Sequence, residues 1–198
     1  MTLSHTLARK TRTIGFFGLI GLLVSLVVVF AQPLRYGATA RMLIIQRSTL
    51  GLDPYTAVKS AERIADSLSL VIYTQDFFNK ILKQDSSIDQ TKFPSDPSKR
   101  YKAWQKTVRT SLVTGSGLLS ITALSTDQAE AVKLAQAVAD VLTVSGKEYV
   151  GGDLEVKLVD SPLASTYPIA PNIPLSLVLG LLIGLLCGVG YAVVGTRE

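Results

Sequence analysis

Histidine occurs once in this chain of 198 residues, as His5, and cysteine once, as Cys187. With so few, no Ser/His or Cys/His nucleophile pair can be assembled and a histidine-based metal site is excluded. No intrachain disulfide can form, so cysteine usage does not reveal the redox compartment. No Gly-Lys-Ser or Gly-Lys-Thr is present, and Gly115-Ser116-Gly117 separates two β-rich runs instead of opening a helix, so no phosphate-binding loop is read. The acids that could pair, Asp85 with Asp89 and Asp127 with Glu130, lie among loop and helix-cap residues, without the apolar surroundings that tune a catalytic pair. The chain reads as a non-enzyme, with neither cofactor nor metal.

Charge is missing from two long stretches, Ile14–Ala31 and Pro174–Val194, which supply much of the 47% hydrophobic content. As helices they would be about 27 Å and about 31 Å long, enough to cross a bilayer's hydrocarbon core. The first is long for the core of a signal peptide, although Val29-Phe30-Ala31 leaves cleavage open as the alternative. Net charge is +5, but Arg9, Lys10 and Arg12 precede the first stretch, and residues 32–173 carry 16 basic against 14 acidic side chains. Nucleic acid is not implied. The three basic residues, with no acid beside them, mark a cytoplasmic flank under the positive-inside rule.

The expected layout is a cytoplasmic basic tail at 1–13, a membrane span at 14–31, an extracytoplasmic domain at 32–173, a second span at 174–194 and a cytoplasmic tail at 195–198. Residues 162–174 form a proline-rich strut into the second span, with Pro162, Pro168, Pro171, Asn172 and Pro174. Its prolines fix φ and bias the preceding residues toward extended backbone, and Pro174 suits a first helical turn. Within the spans, Gly180, Gly184 and Gly188 recur every four residues, and Gly15, Gly18 and Gly21 every three. Both sets offer small faces for close helix packing, within the chain or between copies.

Between the spans, Ala38, Ala40, Met42 and Ile44 alternate with Thr39, Arg41, Leu43 and Ile45, the period of a strand. Asp53-Pro54 caps a helix to about Leu70, and a second helical piece covers Thr74 to Lys83. Residues 84–98 read as an exposed loop, followed by a short helix carrying Trp104 among Arg100, Lys102 and Lys106. An aromatic among basic residues can suit nucleic acid or an anionic polymer, but a tryptophan anchoring a surface helix to a core is the commoner arrangement. Val108–Val113 and Leu118–Leu124 form a hairpin. Ser125, with Gln128 three residues on, reads as the capping box of a helix to about Val144. A last strand includes Leu154, Val156 and Leu158. The resulting βαββαβ order is that of an α+β, ferredoxin-like split βαβ domain.

Three segments resemble the chain-length determinant (Wzz-type) polysaccharide co-polymerases. They are Tyr36 to Ile45; Gly117 to Ala129 with Ala135; and Val159-Asp160-Ser161-Pro162 leading through Pro168, Pro171-Asn172 and Pro174 into the last span. The resemblance implies a two-pass protein of the bacterial cytoplasmic (inner) membrane, in contact with membrane lipids. Both termini are then cytoplasmic and the domain periplasmic or extracellular. It further implies a ring-like homo-oligomer that regulates the chain length or export of a surface polysaccharide or exopolysaccharide, with the polysaccharide polymerase or export machinery as partner. The short helical region between the first strand and the hairpin marks a compact member. The four residues after Val194 give no fused kinase domain, which leaves a separate cytoplasmic kinase open as a partner. The alternative is a two-span scaffold or accessory subunit of a secretion, transport or signalling complex.

Overall fold

The computed structural model describes residues 11–46, 53–85, 88, 90–151 and 154–194. They divide into two compact units, one within residues 35–168 and a second made from 11–34 and 169–194. In chain order the elements are α1 (Thr11–Phe30), β1 (Tyr36–Gln46), α2 (Pro54–Val71), α3 (Gln75–Gln84), a 3-10 turn (Gln90–Lys92), α4 (Pro97–Thr107), β2 (Val108–Val113), β3 (Leu118–Ser125), α5 (Gln128–Val150), β4 (Leu154–Ala164) and α6 (Ile173–Val194).

Residues 35–168 form an α+β unit around one four-stranded sheet, ordered β2-β3-β1-β4, with every neighbouring pair antiparallel. The alternation of β1 sets its orientation: Ala38, Ala40, Met42 and Ile44 are buried, while Thr39 and Arg41 face the other side. On that side Thr39 hydrogen-bonds Thr122 at 2.8 Å, and Arg41 pairs with Asp160 at 3.0 Å across the β1–β4 ladder. The buried face packs on α5 through Ala131, Leu134, Ala135, Val138 and Leu142, and on α2 through Ala65 and Leu68. The alanines bring the helices close to the sheet, and the leucines fill the space between.

The helix starts follow from local chemistry. Asp53 accepts the amide hydrogens of Tyr55 and Thr56 with Pro54 in the first turn. The Thr56 hydroxyl and amide hold the Asp53 carboxyl below its usual range, so the cap stays ionised. Thr74 caps α3, and Asp96 caps α4 by accepting from the Lys99 amide at 2.9 Å. Helix α4 is fastened by Trp104, fully buried, whose Nε1–H donates to the Ile72 carbonyl at 2.8 Å; its ring lies 4.8 Å from that of Phe78. The anchoring role weighed for this tryptophan is the one it takes. The β2–β3 hairpin turns through Gly115 and Gly117, at φ of 76° and 62°, values that favour glycine.

Four expectations need correction. Ser125 is not the cap of α5: it ends β3, and Asp127 takes the cap by accepting the Ala129 amide at 2.8 Å. Ser125 instead donates to the Glu130 carboxylate, and Gln128 donates to the Ser165 carbonyl at 3.2 Å. Helix α5 runs beyond Val144 to Val150, because Gly146 is buried where an added Cβ would already touch Val156 at 3.4 Å. Packing there outweighs the helix cost of glycine, about 1 kcal/mol. The stretch from 84 to 98 is exposed at most of its described residues but not throughout: Ile88 is buried, and Phe93 packs edge-on against Phe78 at 4.9 Å. Finally, β4 continues through Pro162 to Ala164. It is an edge strand with register shifts opposite Thr39, Arg41 and Met42, a setting in which a missing N–H is tolerated.

Candidate functional site

In the second unit, α1 and α6 are both long and apolar enough to cross a membrane. They pack antiparallel on each other. A Cβ added at Gly18 would lie 2.9 Å from Leu185, one at Gly21 2.8 Å from the Gly184 Cα, and one at Gly188 2.9 Å from the Ile14 Cα. At Gly184 the added atom would sit 3.0 Å from the Gly18 Cα, and at Gly180 it would collide with Ser25. Five of the six glycines singled out in the sequence therefore lie where the two backbones approach most closely. Gly15 does not, since nothing lies within 4 Å of its added Cβ. Ser25, whose role the sequence did not suggest, takes the place facing Gly180. Phe17 and Tyr191 close the same pair, with ring centroids 5.4 Å apart. Cys187 is exposed on α6. Arg12 is exposed in the first turn of α1, whereas Arg9, Lys10 and the tail at 195–198 lie outside the described residues.

The proline segment is divided among elements. Pro162 belongs to β4, Pro168 and Pro171 lie in the irregular stretch that follows, and Asn172 caps α6. The Asn172 side chain accepts from the Leu175 amide at 3.3 Å, and its carbonyl from Ser176 at 3.0 Å. Pro174 is the second residue of α6, where no backbone donor is needed. Of the stretch expected as a strut over 162–174, only the residues between Ala164 and Asn172 lie outside β4 and the capped start of α6. Just after β4, the Ser165 amide donates to the Gly37 carbonyl at 2.7 Å, and the Gly37 amide donates to the Ser165 hydroxyl at 3.1 Å. The first and last strands of the α+β unit are locked together there, so the chain enters and leaves that unit at one end of its sheet.

At the same end of the sheet, where Leu124 and Ser125 finish β3, lies an open cleft of about 430 Å³. Arg35, Lys92, Lys99, Lys102 and Lys106 line it, with Glu130 the one carboxylate among the described residues. Ile88, Phe93, Ala103 and Leu134 supply its apolar lining. Lys99, Lys102 and Lys106 fall at i, i+3 and i+7 of α4, on one helical face. Sequence reasoning noted Lys102 and Lys106 beside Trp104 but missed the cleft. The signal was the lysine spacing, which becomes a face once α4 is known to begin at Pro97. Among the described residues no cluster of three or more His, Cys, Asp or Glu gathers.

A scan against protein-family models finds no match, and a search of curated proteins finds no similar sequence.

Proposed function

We propose that this chain is a compact polysaccharide co-polymerase of the Wzz type, a two-span protein of the bacterial cytoplasmic membrane. Its α+β domain lies outside the cytoplasm, and it sets the length or export of a polymer made by a separate enzyme. The strand order β4-β1-β3-β2 with its two helical crossovers supports a ferredoxin-like arrangement. One observation carries the reading: a domain whose first and last strands are tied at Gly37 and Ser165 is flanked by two apolar helices that pair along glycine faces. Such a chain holds one domain at two membrane anchors. The three sequence segments that resemble the family supply the polymer. With a single histidine and a single cysteine, the chain acts by assembly and contact: copies associate in a ring beside the polymerase or export machinery, and length follows from geometry instead of turnover.

Removing the gene is expected to change the polymer's size distribution while polymer is still made, and restoring it is expected to return the original profile. An unchanged distribution would leave the two-span scaffold as the better reading. The topology has its own test. In a Cys187→Ser background, a membrane-impermeant thiol reagent applied to intact cells is expected to label Ser95→Cys, at an exposed site before α4, but not Ser4→Cys. Labelling at position 4, or none at position 95 in a folded protein, contradicts the proposed orientation.

A further inference from the structure

Among the described residues, the cleft beside α4 carries more positive charge than its carboxylates match. Lys92 pairs with Glu130, which the Ser125 hydroxyl also engages. Among the described residues no carboxylate pairs with Arg35, Lys99, Lys102 or Lys106. Lys102 and Lys106, at i and i+4 on one face, repel each other, which disfavours the helix in the absence of an anion. Trp104 holds this helix in place from the opposite side, so the lysine face is presented on a rigid support. The same cleft is lined by the apolar side chains of Ile88 and Leu134 and by the half-buried ring of Phe93. That ring is braced by Phe78 and Trp104.

We propose that this cleft binds an acidic saccharide unit, with its carboxylate or phosphate paired to Lys99, Lys102 and Lys106 and the C–H face of its ring against Phe93 and Ile88. The volume, about 430 Å³, suits one or two sugar rings and lies within the range of small-ligand pockets. The apolar part of the lining decides between anions. A phospholipid headgroup would engage the lysines and leave Ile88, Phe93 and Leu134 uncovered, whereas a pyranose carries both an apolar face and, when oxidised or phosphorylated, the charge. This inference rests on the polysaccharide reading for the source of the sugar and deepens it: the polymer is acidic, and the domain touches it at the end of the sheet where the chain enters and leaves.

The test uses the full chain in a polyoxyethylene detergent, titrated calorimetrically with tetragalacturonate, mannose 6-phosphate, neutral maltotetraose and phosphatidylglycerol bicelles. At least one acidic sugar is expected to bind more tightly than maltotetraose and to weaken as salt rises. The double variant Lys102→Ala, Lys106→Ala is expected to lose roughly three- to tenfold in affinity, the worth of two exposed ion pairs. Phe93→Leu, which keeps the lining apolar without the ring, is expected to lose a few-fold, and Lys157→Ala, on the opposite sheet face, none. The proposal is overturned if neither acidic sugar outbinds maltotetraose, if the lysine variant binds like the native chain, or if only the bicelles bind, which would make the cleft a lipid site. Failure here with a polymer profile that still depends on the gene removes the cleft and keeps the co-polymerase. Acidic-sugar binding with an unchanged profile does the reverse.

Discussion

Gly184→Ile is expected to separate α1 from α6. A Cβ at this position would lie 3.0 Å from the Gly18 Cα and 3.1 Å from the Gly21 Cα. These are backbone atoms, which cannot rotate aside as a side-chain end can, so the helices must part and every neighbouring contact along the seam loosens with them. Overpacking of this kind costs about 1–3 kcal/mol, and at a backbone-to-backbone approach the upper part of that range applies. The readout is disulfide cross-linking between Ser25→Cys and Ser176→Cys, which line one groove of the helix pair, in a Cys187→Ser background. The parent is expected to cross-link readily and Gly184→Ile to lose most of the product. Gly15→Ile is the control, because nothing lies within 4 Å of a Cβ at that position. Equal cross-linking in all three would mean that the glycines do not hold the pair.

Trp104→Ala is expected to cost the α+β unit about 3–5 kcal/mol, the range for emptying a buried aromatic site. The side chain is fully buried and packs on Phe78, and its Nε1–H is the side-chain donor to the Ile72 carbonyl at the end of α2. Removing it opens a cavity between α3 and α4 and takes a hydrogen bond from a carbonyl below the surface. Against a typical domain stability of about 5–15 kcal/mol, this is a large fraction. Trp104→Phe keeps most of the apolar volume and loses only the donor, so about 1–3 kcal/mol is expected. Urea unfolding of the full chain in detergent, followed by circular dichroism, measures both. A loss under about 1 kcal/mol for Trp104→Ala would show that α4 is held by something other than its tryptophan.

Much of the α+β unit could be read from the sequence because local and tertiary preferences agree there. The alternation in β1, the Asp53-Pro54 cap and the glycines of the hairpin each state a backbone conformation that packing then keeps. The failures are places where a neighbour outside the local window decided. Ser125 looks like a cap until β3 pairs it with Tyr36, and Asp127 then stands at the helix start. Helix α5 looks complete at Val144 until Val156 covers Gly146, and Pro162 looks like the start of a strut until it falls on the open edge of the sheet.

The glycine seam shows the same division in simpler geometry. Residues four apart drift by about 40° around a helix, so Gly180, Gly184 and Gly188 keep one face. Residues three apart drift by about 60° in the other sense, so Gly15 has turned well away from the line through Gly21. Counting glycines found the seam, and helical geometry decides which of them belong to it. The cleft was less legible still. Its cations come from Arg35, from Lys92 and from α4, and only the fold of the intervening chain brings them to one end of the sheet.

Control of polymer length by stoichiometric assembly is tested most directly by the polymer's size distribution, measured while expression of this chain is titrated against a fixed level of the polymerase. The fraction of polymer in the regulated size class is expected to rise with the ratio of chain to polymerase and then to saturate, as complete assemblies form. A size distribution that stays the same from no expression to excess would contradict it.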